Sequence, residues 1–365
     1  MRLLRTMVIR ILLMCAVAAA ATVAGAGAAN AAVPDVWGFA YVNTTSGVPS
    51  PAYQAGSWAP GPTVGVTSGG PGEYFVRFPR IGIPRGGIAH VTAISQSPEW
   101  CQIEKWWQDG PDEVVAVRCT LYGGGHHAQT LFSIVFASSS GALASASQAY
   151  GYVYWDGGSI ASHYNSALAA NSVVHTGTGA WTVVLPGLGS AVQAGNIQVT
   201  AVDSGRAARC KVGAWDWSKD AQKIRVLCHD ATNVPLDTGW TLTYQRQRAI
   251  MGAAVPPKYF AYTFDNDPAT PGPYAPAPAG VNYNYTGAVN TLTRTATGRR
   301  WVAFPSVGVL PSNVQVTAYG PGPEFCNLVT LWVTAGSDVH VRDVFCYKGN
   351  VKVDSPSLVT YTSQY

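Results

Sequence analysis

Charge is scarce in this 365-residue chain: Asp, Glu, Lys and Arg together make up 12% of it. The formal net charge is +4, and Arg2, Arg5 and Arg10 supply three of the positive charges. Beyond that leader stand 20 Lys and Arg against 19 Asp and Glu, a net charge near +1. So neutral a chain gives no argument for nucleic acid or an anionic membrane as partner, and neither is expected. Outside the leader no segment sustains the apolar period of a helix. Catalytic signatures are missing too, with no Gly-x-Ser-x-Gly elbow, phosphate-cradling loop or zinc-protease motif. None of the seven histidines matches another in the repeats described below, and none lies in a metal-binding helix motif. No cofactor or catalytic residue is therefore expected.

The leader itself has a simple reading. A basic start, an apolar run shorter than the ~20 residues of a membrane span, and the small-x-small triplet Ala29-Asn30-Ala31 describe a secretory signal peptide over residues 1–31. Cys15 lies inside the run, after a large Met14, and leaves with it. The mature chain is expected outside the cell and not inserted in a membrane. It keeps six cysteines, Cys101, Cys119, Cys210, Cys228, Cys326 and Cys346, an even number that implies disulfides.

What is abundant points one way. Gly (39), Pro (24) and an aromatic content of 11% favour a turn-rich all-β protein. Six landmarks recur in one order three times. They begin with an aromatic strand ("GFAYVN", "GYVYWD", "FAYTFD") and a strand ending near Pro79, Pro186 or Pro305. The segments "HVTA", "QVTA" and "QVTA" follow, then a cysteine pair and a closing aromatic strand. The unit is about 110 residues, enough for one core. The domains read as 33–140, 149–247 and 256–365, divided by the strandless stretches Ser138–Gln148 and Gln245–Pro257. Short strands rich in Val, Thr, Tyr and Trp between Gly and Pro clusters describe antiparallel sheets, packed as a sandwich or closed as a barrel, with the sandwich preferred.

The cysteines pair most simply within each repeat. Midpoints between paired cysteines fall at Lys219, Gly110 and Gly336, inside "SKD", "QDGPD" and "TAGSD", all credible hairpin turns. Each unit then carries one disulfide across a hairpin, stabilising it by roughly 3 kcal/mol. Strict alternation from Cys210 sends Val212, Ala214, Ile224 and Val226 inward. It sends Lys211, Trp215, Trp217, Lys223 and Arg225 outward, and in the first repeat Trp106 with Gln102, Glu104 and Arg118. Trp332 sits one residue further from its cysteine and turns inward unless a bulge intervenes. Trp106, Trp215 and Trp217 are thus candidate binding residues: either an aromatic platform for a sugar ring, or a face covered by the next repeat.

Metal sites look weak. His126 and His127 are adjacent and would point to opposite faces of a strand. Asp265, Asn266 and Asp267 could offer oxygens to calcium, but Asp156 and Asn43 at the matched points lack such company, and an ordinary turn is the simpler reading. No spacing reveals the facing carboxylates of a glycosidase.

The run "GTGAWTVVLPGLG", "IQVTAV", "CKVGAW", "IRVLC" and "TLTY" resembles a repeat of secreted β-repeat proteins from high-GC bacteria of actinobacterial or myxobacterial type. Repeat 2 matches best. Repeat 1, where "LYGGGHHAQT" replaces an acidic turn, matches least. The resemblance implies export, tandem β units and local disulfides, and brings no activity or site residue with it. The expected function is non-enzymatic binding or adhesion to an extracellular polysaccharide or protein surface. The alternatives are a structural cell-surface spacer and, after that, a hydrolase with an unrecognised site.

Overall fold

In a computed structural model, which describes residues 35–123, 129–141, 143, 147–252 and 259–365, the β-branched and aromatic runs become strands. The expected leader and His126–His127 lie outside the described residues. Repeat 1 contains β1 (Val36–Val42), β2 (Gln54–Gly56), β3 (Gly65–Gly70), β4 (Glu73–Phe78), β5 (Ile88–Ile94), β6 (Glu99–Asp109), β7 (Asp112–Leu121) and β8 (Leu131–Ser138). Repeat 2 contains β9 (Ala149–Trp155), β10 (Ile160–Asn165), β11 (Ser172–Gly177), β12 (Ala180–Pro186), β13 (Asn196–Val202), β14 (Ala208–Trp217), β15 (Ala221–Asp230) and β16 (Gly239–Arg246). Repeat 3 contains β17 (Phe260–Asp265), β18 (Asn282–Asn284), β19 (Thr291–Ala296), β20 (Arg299–Phe304) and β21 (Ser312–Ala318). It continues with β22 (Phe325–Leu328), β23 (Val333–Ala335), β24 (Asp338–Lys348), β25 (Val351–Lys352) and β26 (Ser357–Ser363).

Each repeat is a sandwich of two antiparallel sheets. One runs β5-β8-β1-β2, β13-β16-β9-β10 or β21-β26-β17-β18; the other runs β6-β7-β4-β3, β14-β15-β12-β11 or β22-β24-β20-β19. In repeat 1 the two sheets bury Val91, Phe132 and Phe136 against Val76, Ile103 and Val117. The hairpin following each "VTA" segment carries the disulfide, and the pairs are the local ones: Cys101–Cys119, Cys210–Cys228 and Cys326–Cys346, with Cα atoms 4.0, 4.1 and 4.1 Å apart. Gly110 and Gly336 occupy two of the expected turns with φ of 61° each, the left-handed region where a Cβ is unfavourable.

The sandwiches join in a ring. The second sheet of repeat 1 continues into the first sheet of repeat 2 through the parallel bridge Val202↔Ile103, where the Asp203 amide donates to the Ile103 carbonyl at 3.0 Å. Repeat 2 joins repeat 3 in the same way through Val212↔Tyr319, with Gly320 N–H to Val212 O at 2.9 Å. Repeat 3 returns to repeat 1 through Leu328↔Ile94, with Ser95 N–H to Leu328 O at 2.7 Å. Pro34–Tyr365 is accordingly one compact unit.

Around the threefold pseudo-axis of this ring stand β5, β13 and β21, in which all seven residues are buried. Their polar residues satisfy one another in a cycle. Thr92 Oγ1 donates to Gln315 Oε1 at 2.8 Å and accepts from Val316 N–H at 2.9 Å. Thr317 Oγ1 does the same with Gln198 Oε1 and Val199 N–H, at 2.9 and 3.0 Å. Thr200 closes the cycle on His90, whose Nδ1 lies 3.1 Å from Thr200 Oγ1 and whose Nε2 lies 2.8 Å from Thr243 Oγ1. His90 thus occupies the place of Gln198 and Gln315, and complete burial lowers its pKa to about 3, holding the ring neutral.

A second cycle uses the residue after each first cysteine. The Gln102 amide donates to the carbonyls of Asp203 and Arg206, Lys211 Nζ to Gly322 O and Glu324 Oε2, and the Asn327 amide to the carbonyls of Ser97 and Glu99. Each reaches into the loop of the next repeat. Buried polar groups satisfied in this way fix register rather than only add stability.

Strict alternation fails in all three hairpins; in the third, four residues (329–332) oppose three (341–343) between the pairs Leu328↔Val344 and Val333↔His340. Register shifts between Ile103 and Lys105 and between Val212 and Ala214 are β-bulges, and every side chain beyond them changes face. Trp215, read from alternation as outward, therefore pairs with Ile224 and is 2% exposed. Lys211, also assigned outward, is buried. Trp217 at the hairpin end is 43% exposed, and Trp332 is fully buried. The Asp265 carboxylate, offered above to calcium, is buried and bonded instead to Arg300 Nε at 2.8 Å and to the Tyr274 hydroxyl. Asp156 receives the amides of Gly158 and Ser159, an ordinary turn.

Candidate functional site

One tryptophan per repeat enters the seam with the next, beyond the bulge in repeats 1 and 2 and between β22 and β23 in repeat 3. Trp106, Trp215 and Trp332 face Tyr154, Phe264 and Tyr41, matched residues on β9, β17 and β1, at ring-centroid distances of 4.4, 6.3 and 6.5 Å. Two of these seams are sealed. Trp215 Nε1 donates to Gln222 Oε1 at 2.8 Å, and the Gln222 amide donates on to Leu188 O at 2.9 Å and Ser190 Oγ at 3.2 Å. Trp332 Nε1 donates to Ser312 Oγ at 2.9 Å, and its ring is covered by Tyr53 at 5.7 Å.

The first seam is different because one side chain is different. Six residues before the second cysteine, repeat 2 has Gln222 and repeat 1 has Glu113. Glu113 Oε2 accepts from the Ile83 amide at 3.0 Å. Trp106 Nε1 donates elsewhere, to Gly86 O at 2.9 Å, and Glu113 Oε1 has no hydrogen-bond partner among the described residues. Burial to 1% exposure raises the Glu113 pKa to about 7, the Ile83 amide opposing that shift.

Trp106 is only half-buried, and a cleft of about 290 Å³ opens beside it. Glu113, Trp106, Trp107, Tyr154, Lys105, Arg85 and Ser162 are among the residues that line it. Lys105 and Arg85 are exposed; the Lys105 ammonium stands 5.3 Å from the Trp107 ring, and Trp107 is 37% exposed. Such a cleft offers flat aromatic faces, cationic and hydroxyl donors, and one carboxyl at its floor. Among the described residues Glu113 is its single acidic lining residue, and no histidine or cysteine lines it.

Of the three tryptophans singled out in the sequence, one reaches this cleft. Trp106 does, Trp215 is sealed in the second seam, and Trp217 stands apart on its hairpin tip. Glu113, Tyr154 and Arg85 were missed. The first had a readable signal, since an acid replaces an amide at a matched, strand-internal position; the other two depend on how the repeats dock. Among the described residues no group of three or more His, Cys, Asp or Glu could hold a metal, and no helix is long and apolar enough to cross a membrane. Three disulfides suit an oxidising compartment. No protein-family model, curated protein or solved structure matches the chain.

Proposed function

We propose that this is a secreted, non-enzymatic binding protein that seats one sugar residue of an extracellular polysaccharide in the cleft at Trp106. One observation carries the reading: of three matched seam tryptophans, Trp106 alone is left partly open, above an acceptor without a partner. The apolar face of a pyranose suits an indole, and its hydroxyls suit the exposed Lys105 and Arg85. Hydrolysis of a glycosidic bond would need a second carboxyl facing the first, and Glu113 stands alone among the cleft residues. A spacer of stacked units would leave its end repeats apart, whereas repeat 3 returns to repeat 1.

The test is retention on insoluble polysaccharides and a glycan array, comparing the natural chain with Trp106→Ala, Lys105→Ala and Trp217→Ala. Retention should fall with the first two and survive the third. Lys105 is exposed, so its variant guards against a loss caused by unfolding at the seam. No retention of the natural chain on any glycan, or equal retention of all four proteins, would sink the proposal.

A further inference from the structure

A second cavity lies on the pseudo-axis, at the disulfide end, and is unrelated to the Trp106 cleft. Its volume is about 40 Å³, and its walls include the matched segments Val91–Ala93, Val199–Ala201 and Val316–Ala318 together with Cys101, Cys210 and Cys326. That volume accommodates one or two waters or one monatomic ion. The residues preceding the three cysteines meet at this end and break the symmetry: Trp100, Arg209 and Phe325. The Arg209 guanidinium is stacked between the other two, 4.9 Å from the Trp100 ring and 4.8 Å from the Phe325 ring.

Arg209 is 6% exposed, and its terminal nitrogens donate to the Asp230 carbonyl and the Asn233 side-chain oxygen, both uncharged acceptors. Its Nε has no partner among the described residues. The one carboxylate on the cavity wall, Glu324, is held by Lys211 Nζ at 3.0 Å. His229, also on the wall, is held neutral to about pH 4 by its burial and by the two cations beside it. With Arg209 and Lys211 positive and Glu324 negative, the lining itself carries one positive charge in excess; the Asp230 carboxylate acts on Arg209 from outside the lining. A buried guanidinium with no carboxylate bonded to it is costly, and the Asp230 charge and two aromatic faces offset only part of that.

We propose that the axial cavity binds a single monatomic anion, a halide such as chloride, as counter-ion to Arg209. Halide would then tie the three repeats together at the point where their strands converge. The direct test is a crystal of the natural protein soaked in sodium bromide. An anomalous peak in the cavity, within hydrogen-bond distance of Arg209, is the expected result. In solution, the melting temperature should rise and saturate with added sodium chloride or bromide but not with sodium gluconate at equal ionic strength, and Arg209→Met should abolish the difference. Should that variant fail to fold, the bromide peak and the halide titration of the natural chain still decide. Density for water only, with identical melting curves in chloride and gluconate, would overturn the proposal.

Discussion

Replacing Glu113 by the glutamine that repeat 2 carries at the same place should stabilise the protein, by an amount that depends on pH. In the folded chain the carboxyl titrates at about 7, against 4.5 for an unperturbed glutamate. Between those values the folded state keeps a proton that the unfolded state has released, so raising the pH through this window costs stability. A shift of two to three units at about 1.4 kcal/mol per unit amounts to roughly 3 kcal/mol, lost by about pH 7.5. Arg85 and Lys105 in the same cleft are exposed and screened, so they recover little of it. His90 and His229, with pKa values lowered to about 3 and about 4, act in the opposite sense, adding stability as pH rises toward that of free histidine. The natural chain alone therefore shows a blurred profile. The difference between Glu113→Gln and the natural chain cancels both histidines. Urea unfolding with disulfides intact, at about pH 5, 6, 7 and 8, should show that difference growing toward the variant by roughly 3 kcal/mol. A difference constant across the series would refute the assignment of a buried, proton-holding carboxyl.

Two further outcomes are expected. His90→Gln restores the residue found at positions 198 and 315, and should lessen the loss of stability as pH falls from about 6.5 to about 3 by roughly 2–4 kcal/mol, read from unfolding midpoints in acid. Glu324→Ala strands Lys211, whose side chain is 3% exposed, and should lower stability by about 3 kcal/mol, with much of the loss recovered in the double variant carrying Lys211→Met, as thermal unfolding would show.

Local features of the fold were legible because their signals are local. The repeat landmarks placed the strands, and the cysteine midpoints placed three turns and all three disulfides. The faces beyond the bulges were not legible, because one unpaired residue at Glu104 or Gly213 reverses everything after it and alternation alone contains no sign of it. Trp215 was misplaced for that reason. Ring closure was hidden as well, since a sequence repeat does not say which copy docks on which. A hint was present in the "HVTA" and "QVTA" segments, where polar side chains interrupt strands whose neighbours are apolar; such residues, when buried, need partners, and here the partners belong to another repeat. The cleft combines both difficulties: Glu113 could be singled out by comparing repeats, while Tyr154 could not be placed beside Trp106 without the docked structure.

The return of repeat 3 to repeat 1 also sets an order on folding. Thr92 bonds Gln315, Asn327 bonds Ser97, and Tyr347 bonds Gln96, contacts that span most of the chain. Until the last repeat has emerged, β5 is an uncovered edge whose polar side chains face solvent or a neighbouring molecule, the kind of edge that recruits foreign strands. The hairpin disulfides need no such wait, because each closes within its own repeat. Aggregation during production should therefore be worst for chains truncated before β21, and a chain cut there should fare worse than one lacking any single disulfide.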